Sequence, residues 1–267
     1  MAAIASLEVE PFDVCNLLPT GSAAVIAPRG RGKTTVVRWL LAELKRQASE
    51  RGEEMTTVIC AGSGTPAPVL TTLRQEYKNE VPWTSVQASD GDDIASTILS
   101  FQDSSRTLRG AHYFPYTVVV FTDQVLAKSK QSRGFVDLIK NGRHYNCFVI
   151  VEAQYPSTHF TPDIRSNLSY AFVKPGAVST EYCRKLWQNF FGQLHSAEAF
   201  GLMVATVEYH QRHAFLVSDN GRYKPLDYRY AVATPTLAIG PSLDEVIDRA
   251  EAPDSPGVSS SDDSDSD

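Results

Sequence analysis

The chain has 267 residues, of which 42% are hydrophobic and 21% are charged, and its net charge is −6. This length and apolar content are enough for one α/β domain with a buried core. No apolar run approaches the roughly 18 residues that a membrane span needs, and the N-terminus lacks the basic region of a secretory signal. We therefore expect a soluble protein of the cell interior without a membrane partner.

The negative charge is concentrated at the C-terminus. Residues 244–267 carry nine acidic side chains against Arg249, a net −8, whereas the rest of the chain is at +2. The end of this segment is rich in Ser, Asp and Pro, so we expect it to be disordered and to act as a solubilising tail or as a partner-binding or DNA-mimicking tail. The predicted organisation is an N-terminal extension (1–20), an α/β domain (21–243) and an acidic tail (244–267).

Strand and helix patterns alternate along the domain. Strands are predicted at 22–27, 55–62, 83–87, 116–124, 146–154, 202–209, 213–219 and 228–234. Helices are predicted at 33–51, 92–105, 132–142 and 179–191. In the second helix, Ile94, Ile98 and Phe101 are expected to share the apolar face. The alternation predicts an α/β fold with a mostly parallel central sheet flanked by helices.

The loop after the first strand reads APRGRGKTT and covers residues 27–35. It matches the phosphate-binding pattern G-x-x-x-x-G-K-[ST] except at its first position, where alanine replaces glycine. Its glycines allow the backbone N–H groups to surround phosphates, the lysine of the pattern reaches the β- and γ-phosphates, and the following hydroxyl ligates Mg²⁺. We predict an ATP–Mg²⁺ site whose candidate residues are Ala27, Pro28, Arg29, Gly30, Arg31, Gly32, Lys33, Thr34 and Thr35.

Such a site also needs a carboxylate at the end of a neighbouring strand. Asp123 follows a buried strand, but two alignments are open. Either Asp123 ligates Mg²⁺ and Gln124 stands at the position of the catalytic base, or Thr122 stands at the metal position and Asp123 is the base. In both alignments one of the two expected carboxylates is missing. The other candidates for that carboxylate are Glu152, Asp90, Asp92 and Asp93.

The stretch NGRHYNCFVIVEAQYP, residues 141–156, resembles the sensor-strand region of the FtsK/HerA superfamily, and specifically the genome-packaging ATPases of large, poxvirus-like double-stranded DNA viruses. In that family an arginine precedes a buried strand that ends in glutamine, followed by an aromatic residue and proline, which here are Arg143, Gln154, Tyr155 and Pro156. The resemblance covers roughly residues 20–235. It implies a P-loop NTPase with a RecA/FtsK-like core, in which Gln154 contacts the γ-phosphate or its attacking water.

The resemblance further implies a homo-oligomeric ring in which Arg143 or Arg165 completes the site of a neighbouring subunit. Basic residues also outnumber the single acid Asp137 between positions 123 and 146, and they either grip DNA phosphates in a channel or form a solvated helix face. These basic residues are Lys128, Lys130, Arg133, Lys140 and Arg143.

The predicted function is a Mg-ATP-hydrolysing motor that moves double-stranded viral DNA into a capsid during virion assembly. Its expected partners are double-stranded DNA, a capsid or portal-vertex protein and further copies of the chain, at a cytoplasmic or nuclear assembly site of the host cell or in the virion. Two alternatives remain open. One is a P-loop nucleoside or nucleotide kinase, and the other is a nucleotide-gated, non-hydrolysing binding protein of the capsid.

Overall fold

A computed structural model shows how these elements assemble. It describes residues 9–62, 83–88, 94–109, 114–122, 133–156, 160–174, 179–192, 194, 196–211, 213–220 and 228–233. The strands in these ranges are β1 Glu10–Pro11, β2 Gly21–Ile26, β3 Met55–Gly62, β4 Trp83–Ala88, β5 Tyr116–Phe121, β6 Cys147–Ala153, β7 Tyr170–Val173, β8 Phe215–Asp219 and β9 Tyr228–Ala231. The helices are α1 Lys33–Glu50, α2 Ile94–Arg109, α3 Arg133–Asn141, α4 Pro162–Arg165, α5 Thr180–Phe190 and α6 Ala197–His210.

All described strands join one sheet in the order β1-β9-β8-β7-β2-β6-β5-β3-β4. The six strands from β7 to β4 are mutually parallel, while β8 runs antiparallel to both β7 and β9. The prediction of an α/β fold with a mostly parallel sheet is therefore confirmed. Because ligands of such sheets bind beyond the carboxyl ends of the parallel strands, the end of β2, near the middle of the sheet, is where a site is expected.

The sheet separates two apolar layers because successive side chains of a strand point to opposite faces. On one face, Ala23 and Val25 of β2 pack with the buried side of α1, which includes Val36, Leu40 and Leu44. On the other face, side chains of β2, β5 and β6 pack against helices α2 to α6. The helix α1 thus packs on one face of the sheet, and its N-terminus, directly after the loop, lies at the carboxyl edge of the sheet.

The described part of the N-terminal extension packs on the α1 face and is continuous with the sheet. Strand β1 pairs with β9, and the ring of Phe12 makes edge-to-face contacts with Trp39, Tyr170 and Phe172. Leu17 is also buried in this cluster. The sheet and its core therefore begin before residue 21.

The predicted strand at 202–209 is wrong, because these residues lie within helix α6. Ser196 caps the helix by accepting a hydrogen bond from the backbone N–H of Ala199, and Phe200, Met203 and Val207 are buried at helical spacing. The β-branched residues of VATV favour a strand locally, but the cap and the packing of one helical face decide the outcome.

The expected apolar face of α2 is partly wrong. Ile98 is buried, but Phe101 is 55% exposed and Gln102 occupies the buried position instead. The Gln102 amide donates to the carbonyl of Pro115 and to the hydroxyl of Thr117. These two acceptors satisfy the amide nitrogen, whereas its buried carbonyl oxygen has no hydrogen-bond partner within the described residues. Periodicity alone does not reveal this arrangement.

Candidate functional site

The loop APRGRGKTT connects the carboxyl end of β2 to the first residue of α1. Gly30 and Gly32 have φ angles of +71° and +84°, in the left-handed region that side chains disfavour. A Cβ on Gly30 would meet nothing within 4 Å, so the requirement for glycine there comes from the backbone conformation. Both glycines are exposed, and Gly32 lies at the N-cap of α1. The loop therefore presents backbone N–H groups and a helix N-terminus to solvent, an arrangement that suits an anion.

Ala27 adopts an ordinary backbone conformation with a negative φ. Within the described ranges, Asn146 is the non-glycine residue with a positive φ. Its side chain is fully buried, and its N–H continues the sheet by donating to the carbonyl of Ala153 at 3.1 Å. The first loop position thus acts as a strand end rather than as a strained turn. This explains why alanine fits where the pattern has glycine.

Lys33 lies across the loop. Its ammonium donates to the carbonyl of Ala27 at 2.9 Å and to that of Pro28 at 3.3 Å, and 9% of the residue is exposed. The next two residues, Thr34 and Thr35, are exposed in the first turn of α1. The ammonium is therefore held by carbonyls of the loop itself, whereas the two threonines lie at the exposed start of the helix.

Gln154 lies next to this loop, because β6 is the strand that pairs with β2 on one side. Ile26 is level with Ala153, and Gln154 follows directly, half-buried. Glu152 belongs to β6 itself and is also half-buried. The structure thus brings Gln154 and the loop to the same part of the sheet edge.

The strand β5, which precedes Asp123, lies on the far side of β6 from β2. Thr122 continues β5, and its hydroxyl donates to the carbonyl of Cys60 in β3 at 3.0 Å. This bond turns the Thr122 oxygen toward β3 and away from the loop, which favours the alignment in which Asp123 is the metal-side residue. Asp123 and Gln124, like Asp90, Asp92 and Asp93, lie outside the described residues.

On the other side of β2, a cavity of about 790 Å³ opens beside the loop. Apolar side chains form much of its wall, and Phe215 lies close enough that a Cβ on Gly32 would be 3.8 Å from its ring. The residues lining it are Gly30, Arg31, Gly32, Thr35, Val36, Lys174, His213, Phe215, Val232 and Ala233. The loop pattern in the sequence indicates the lining residues from Gly30 to Thr35. It does not indicate the five lining residues from Lys174 onward, because these belong to later strands and turns, and only the order of the strands in the sheet places them beside the loop.

Arg143 lies at the opposite edge of the sheet. It belongs to the turn before β6, is exposed, and lines a smaller polar cavity with Lys140 and Asn167. The seven residues of β6 separate this edge from Gln154, which corresponds to about 20 Å of strand. Arg143 is therefore too far from the loop of its own chain to contact a nucleotide bound there.

Arg165, at the end of α4, is engaged within its own chain. Its guanidinium donates to the carbonyl of Phe160 at 2.7 Å, and partial burial lowers the pKa of the side chain. Of the two arginines, Arg143 is the exposed one.

Two basic residues in the described part of the basic segment lie near acidic side chains. Arg133 begins α3, is highly exposed and lies 3.6 Å from Asp137, whereas Lys140 near the other end of the helix pairs with Asp163 at 2.6 Å. Lys128 and Lys130 lie outside the described residues. The candidate DNA contacts thus remain predictions.

The sheet, the loop after β2 and the helix that follows it define the fold as that of a P-loop NTPase. Among solved structures, the genome-packaging NTPase B204 of Sulfolobus turreted icosahedral virus 2 has this fold. Its form with sulfate has a TM-score of 0.53 at 12% identity, and its form with ATPγS a TM-score of 0.51 at 11%; each covers 80% of this chain and 98% of that one. The DNA-packaging ATPase B204 of Sulfolobus turreted icosahedral virus has a TM-score of 0.52 at 12% identity, covering 81% and 100%.

This fold is consistent with the resemblance to viral packaging ATPases, although at such identities the likeness establishes the fold alone. No protein-family model and no curated protein matches the chain. Within the described ranges, no helix is long and apolar enough to cross a membrane. The same ranges contain no group of three or more His, Cys, Asp or Glu side chains suited to hold a metal ion.

Proposed function

We propose that this chain is a Mg²⁺-dependent ATPase that moves double-stranded DNA into a viral capsid. The observation that carries the proposal is the position of β6 between β2 and β5, which brings Gln154 beside a phosphate-binding loop with two left-handed glycines. A kinase or a simple binding protein needs the loop but has no evident use for an amide at the end of this particular strand. In an ATPase, the same amide can orient the attacking water.

The roles of the loop residues follow from their positions. The N–H groups around Gly30 to Gly32 and the N-terminus of α1 hold the phosphates. Lys33, whose ammonium has three donors, exchanges the carbonyls of Ala27 and Pro28 for phosphate oxygens. Gln154 reports on the γ-phosphate from the adjacent strand.

The proposed Mg²⁺ ion needs few ligands from the protein. Mg²⁺ keeps several waters and binds one or two protein oxygens together with substrate phosphates, rather than a cage of side chains. Thr34 is exposed in the first turn of α1 and offers one hydroxyl oxygen. We assign Asp123, which follows β5 in the sequence, as the carboxylate, because the hydroxyl of Thr122 is directed to Cys60. The bound ion would neutralise charge that develops on the phosphates.

The motor part of the proposal rests on charge and exposure. Arg143 is exposed about 20 Å from its own loop, so we assign it to the nucleotide site of a neighbouring copy in a ring. Lys128, Lys130 and Arg133 are the proposed DNA contacts, and a capsid or portal-vertex protein is the proposed docking partner. Arg165 is the second choice for the intersubunit arginine.

The test of the chemistry is ATP hydrolysis with Mg²⁺ by the wild type and four variants. We expect Lys33→Ala and Asp123→Asn to abolish turnover, and Gln124→Glu to accelerate it if position 124 is that of the catalytic base. Lys185→Ala, on the surface of α5, is the matched control and should leave turnover unchanged. Tight ATP binding without turnover would favour a scaffold protein, and phosphoryl transfer to a nucleoside would establish a kinase.

The DNA contacts are tested by stimulation of the same activity with double-stranded DNA. The double variant Lys128→Ala/Lys130→Ala should lose stimulation and keep basal turnover, because phosphate contacts contribute mainly through charge. The double variant Lys45→Ala/Lys185→Ala removes the same charge elsewhere and should behave as the wild type. Equal stimulation of both double variants would refute the DNA assignment.

A further inference from the structure

The strands β8 and β9 bring two further chain segments to the same edge of the sheet as the phosphate-binding loop. Strand β7 is parallel to β2, so its carboxyl end lies beside the loop, and β8 runs antiparallel to it. The first residue of β8 therefore lies at this edge, and so does the last residue of β9, because Phe215 is level with Ala231. In the order β2, β7, β8, β9, the end of β9 lies three strand spacings from the loop, or roughly 14 Å.

The cavity of about 790 Å³ lies between the loop and these strand ends, on the α1 face of the sheet. Val36, in the first turn of α1, lines it and belongs to the same apolar layer as Phe215. Val232 and Ala233 follow β9, are half-buried and extend this apolar wall. The loop residues Gly30–Gly32 form the other end. The cavity therefore connects a loop suited to phosphates with a wall suited to an apolar group.

The size and the polarity of this cavity both suit the nucleoside part of a nucleotide. Its volume lies within the range of roughly 300–1,000 Å³ that is usual for small-molecule sites. N–H donors at one end and an apolar wall at the other match a ligand that is anionic at one end and aromatic at the other. Gln154 lies on the β6 side of the loop, so a γ-phosphate near Gln154 leaves the sugar on the β7 side, where the cavity opens.

We propose that this cavity binds the nucleoside part of a purine nucleotide, with the base against the wall formed by Phe215, Val232 and Ala233. The inference rests on the nucleotide site proposed above. Contact with aliphatic and aromatic side chains stabilises a base in proportion to the apolar area that it buries, and it does not distinguish the hydrogen-bonding groups of the base. Purines therefore bind more tightly than the smaller pyrimidines, and adenine and guanine bind alike.

The experiment compares the dissociation constants of ATP and inorganic tripolyphosphate, each with Mg²⁺, by calorimetry. Tripolyphosphate lacks the nucleoside, so the wild type should bind it roughly ten-fold or more weakly than ATP. Ala233→Leu fills part of the cavity and should weaken ATP by roughly ten-fold, whereas Val232→Ala removes apolar contact and should weaken ATP by roughly three-fold. Both variants should bind tripolyphosphate as the wild type does. Ala205→Leu, on the exposed face of α6, is the matched control and should bind both ligands as the wild type does.

A second comparison tests the preference for purines with the four nucleoside triphosphates. ATP and GTP should bind the wild type with similar dissociation constants, and CTP and UTP should bind roughly five-fold more weakly, because the second ring of a purine adds contact area. Equal affinity for all four nucleotides would overturn the assignment to purines. A preference of more than about ten-fold between ATP and GTP would overturn recognition by apolar contact, because discrimination of that size requires hydrogen bonds to the base.

If neither variant folds, wild-type protein can be photo-crosslinked to ATP that carries a photoreactive azide on its adenine ring. Mass spectrometry should find the label on the peptide that contains Val232 and Ala233 or on the peptide that contains Phe215. Label on residues 141–156, on the β6 side of the loop, or unchanged ATP affinity in both folded variants, would overturn the assignment of the cavity. Wild-type protein that binds tripolyphosphate as tightly as ATP would do the same. A wild type that binds neither ligand would instead refute the proposed function.

Discussion

Substitution of two glycines by alanine, Gly32 in the loop and Gly201 in α6, should change the stability of the protein in opposite directions. Gly32 has φ +84°, and a Cβ there would be in ordinary contact with Phe215 at 3.8 Å, so Gly32→Ala adds backbone strain without a clash. Alanine in the left-handed region costs roughly 1–2 kcal/mol. Gly201 lies inside α6, and a Cβ there would meet nothing within 4 Å. Gly201→Ala should therefore stabilise the protein by roughly 1 kcal/mol, the difference in helix propensity.

The assay is thermal and urea unfolding of both variants beside the wild type. A difference of roughly 2–3 kcal/mol between them corresponds to roughly 4–12 °C in Tm for a chain of this size. ATP affinity should fall in Gly32→Ala, because relief of the strain moves the N–H groups of the loop, and should stay unchanged in Gly201→Ala. Equal stability of the two variants would refute the left-handed loop conformation, the helical assignment of residues 197–210, or both.

Three further predictions concern catalysis, packing and pH. Gln154→Ala should lower kcat by roughly a hundred-fold with little change in KM, as expected for a group that acts on the attacking water, and an unchanged kcat in steady-state kinetics would count against that role. Phe200→Ala should cost roughly 3–5 kcal/mol in urea unfolding, because its ring is 2% exposed and lies 5.1 Å from that of Phe191. The lowered pKa of Lys174 means that the unfolded chain binds more protons than the folded one between the folded-state pKa and 10.5. The unfolding free energy of the wild type should therefore rise with pH across that window relative to Lys174→Met, and a constant difference between the two proteins would contradict the cost of burying this ammonium.

Much of the fold follows from local patterns that the sequence displays directly. The loop pattern predicts glycines where the backbone must surround phosphates, and Gly30 and Gly32 both have positive φ. The end of α1 at Gly52 was also predicted, since Arg51 and Gly52 close the helix and Gly52 has φ +69°. Such features depend on neighbouring residues, so local reasoning reaches them.

The order of the strands could not be obtained from local patterns. Nothing in the stretch around Gln154 indicates that β6 pairs with β2 over six residues, or that β7 pairs on the other side. Lys174 is separated from the loop by about 140 residues of chain, and no local pattern indicates that it lines the cavity beside the loop. A charged residue directly after an apolar strand is a weak sequence signal for a binding site. Its burial beside the loop, which only the structure shows, is the stronger observation.

Movement of DNA driven by ATP is the central claim, and displacement of a third strand measures it most directly. A fluorescent oligonucleotide bound as a triplex to double-stranded DNA is released when a motor passes it. The account predicts that the wild type, with Mg-ATP, releases the oligonucleotide at a rate that follows ATP hydrolysis, and that Lys33→Ala releases none. Hydrolysis of ATP by the wild type without any release of the third strand, and without stimulation by DNA, would contradict it.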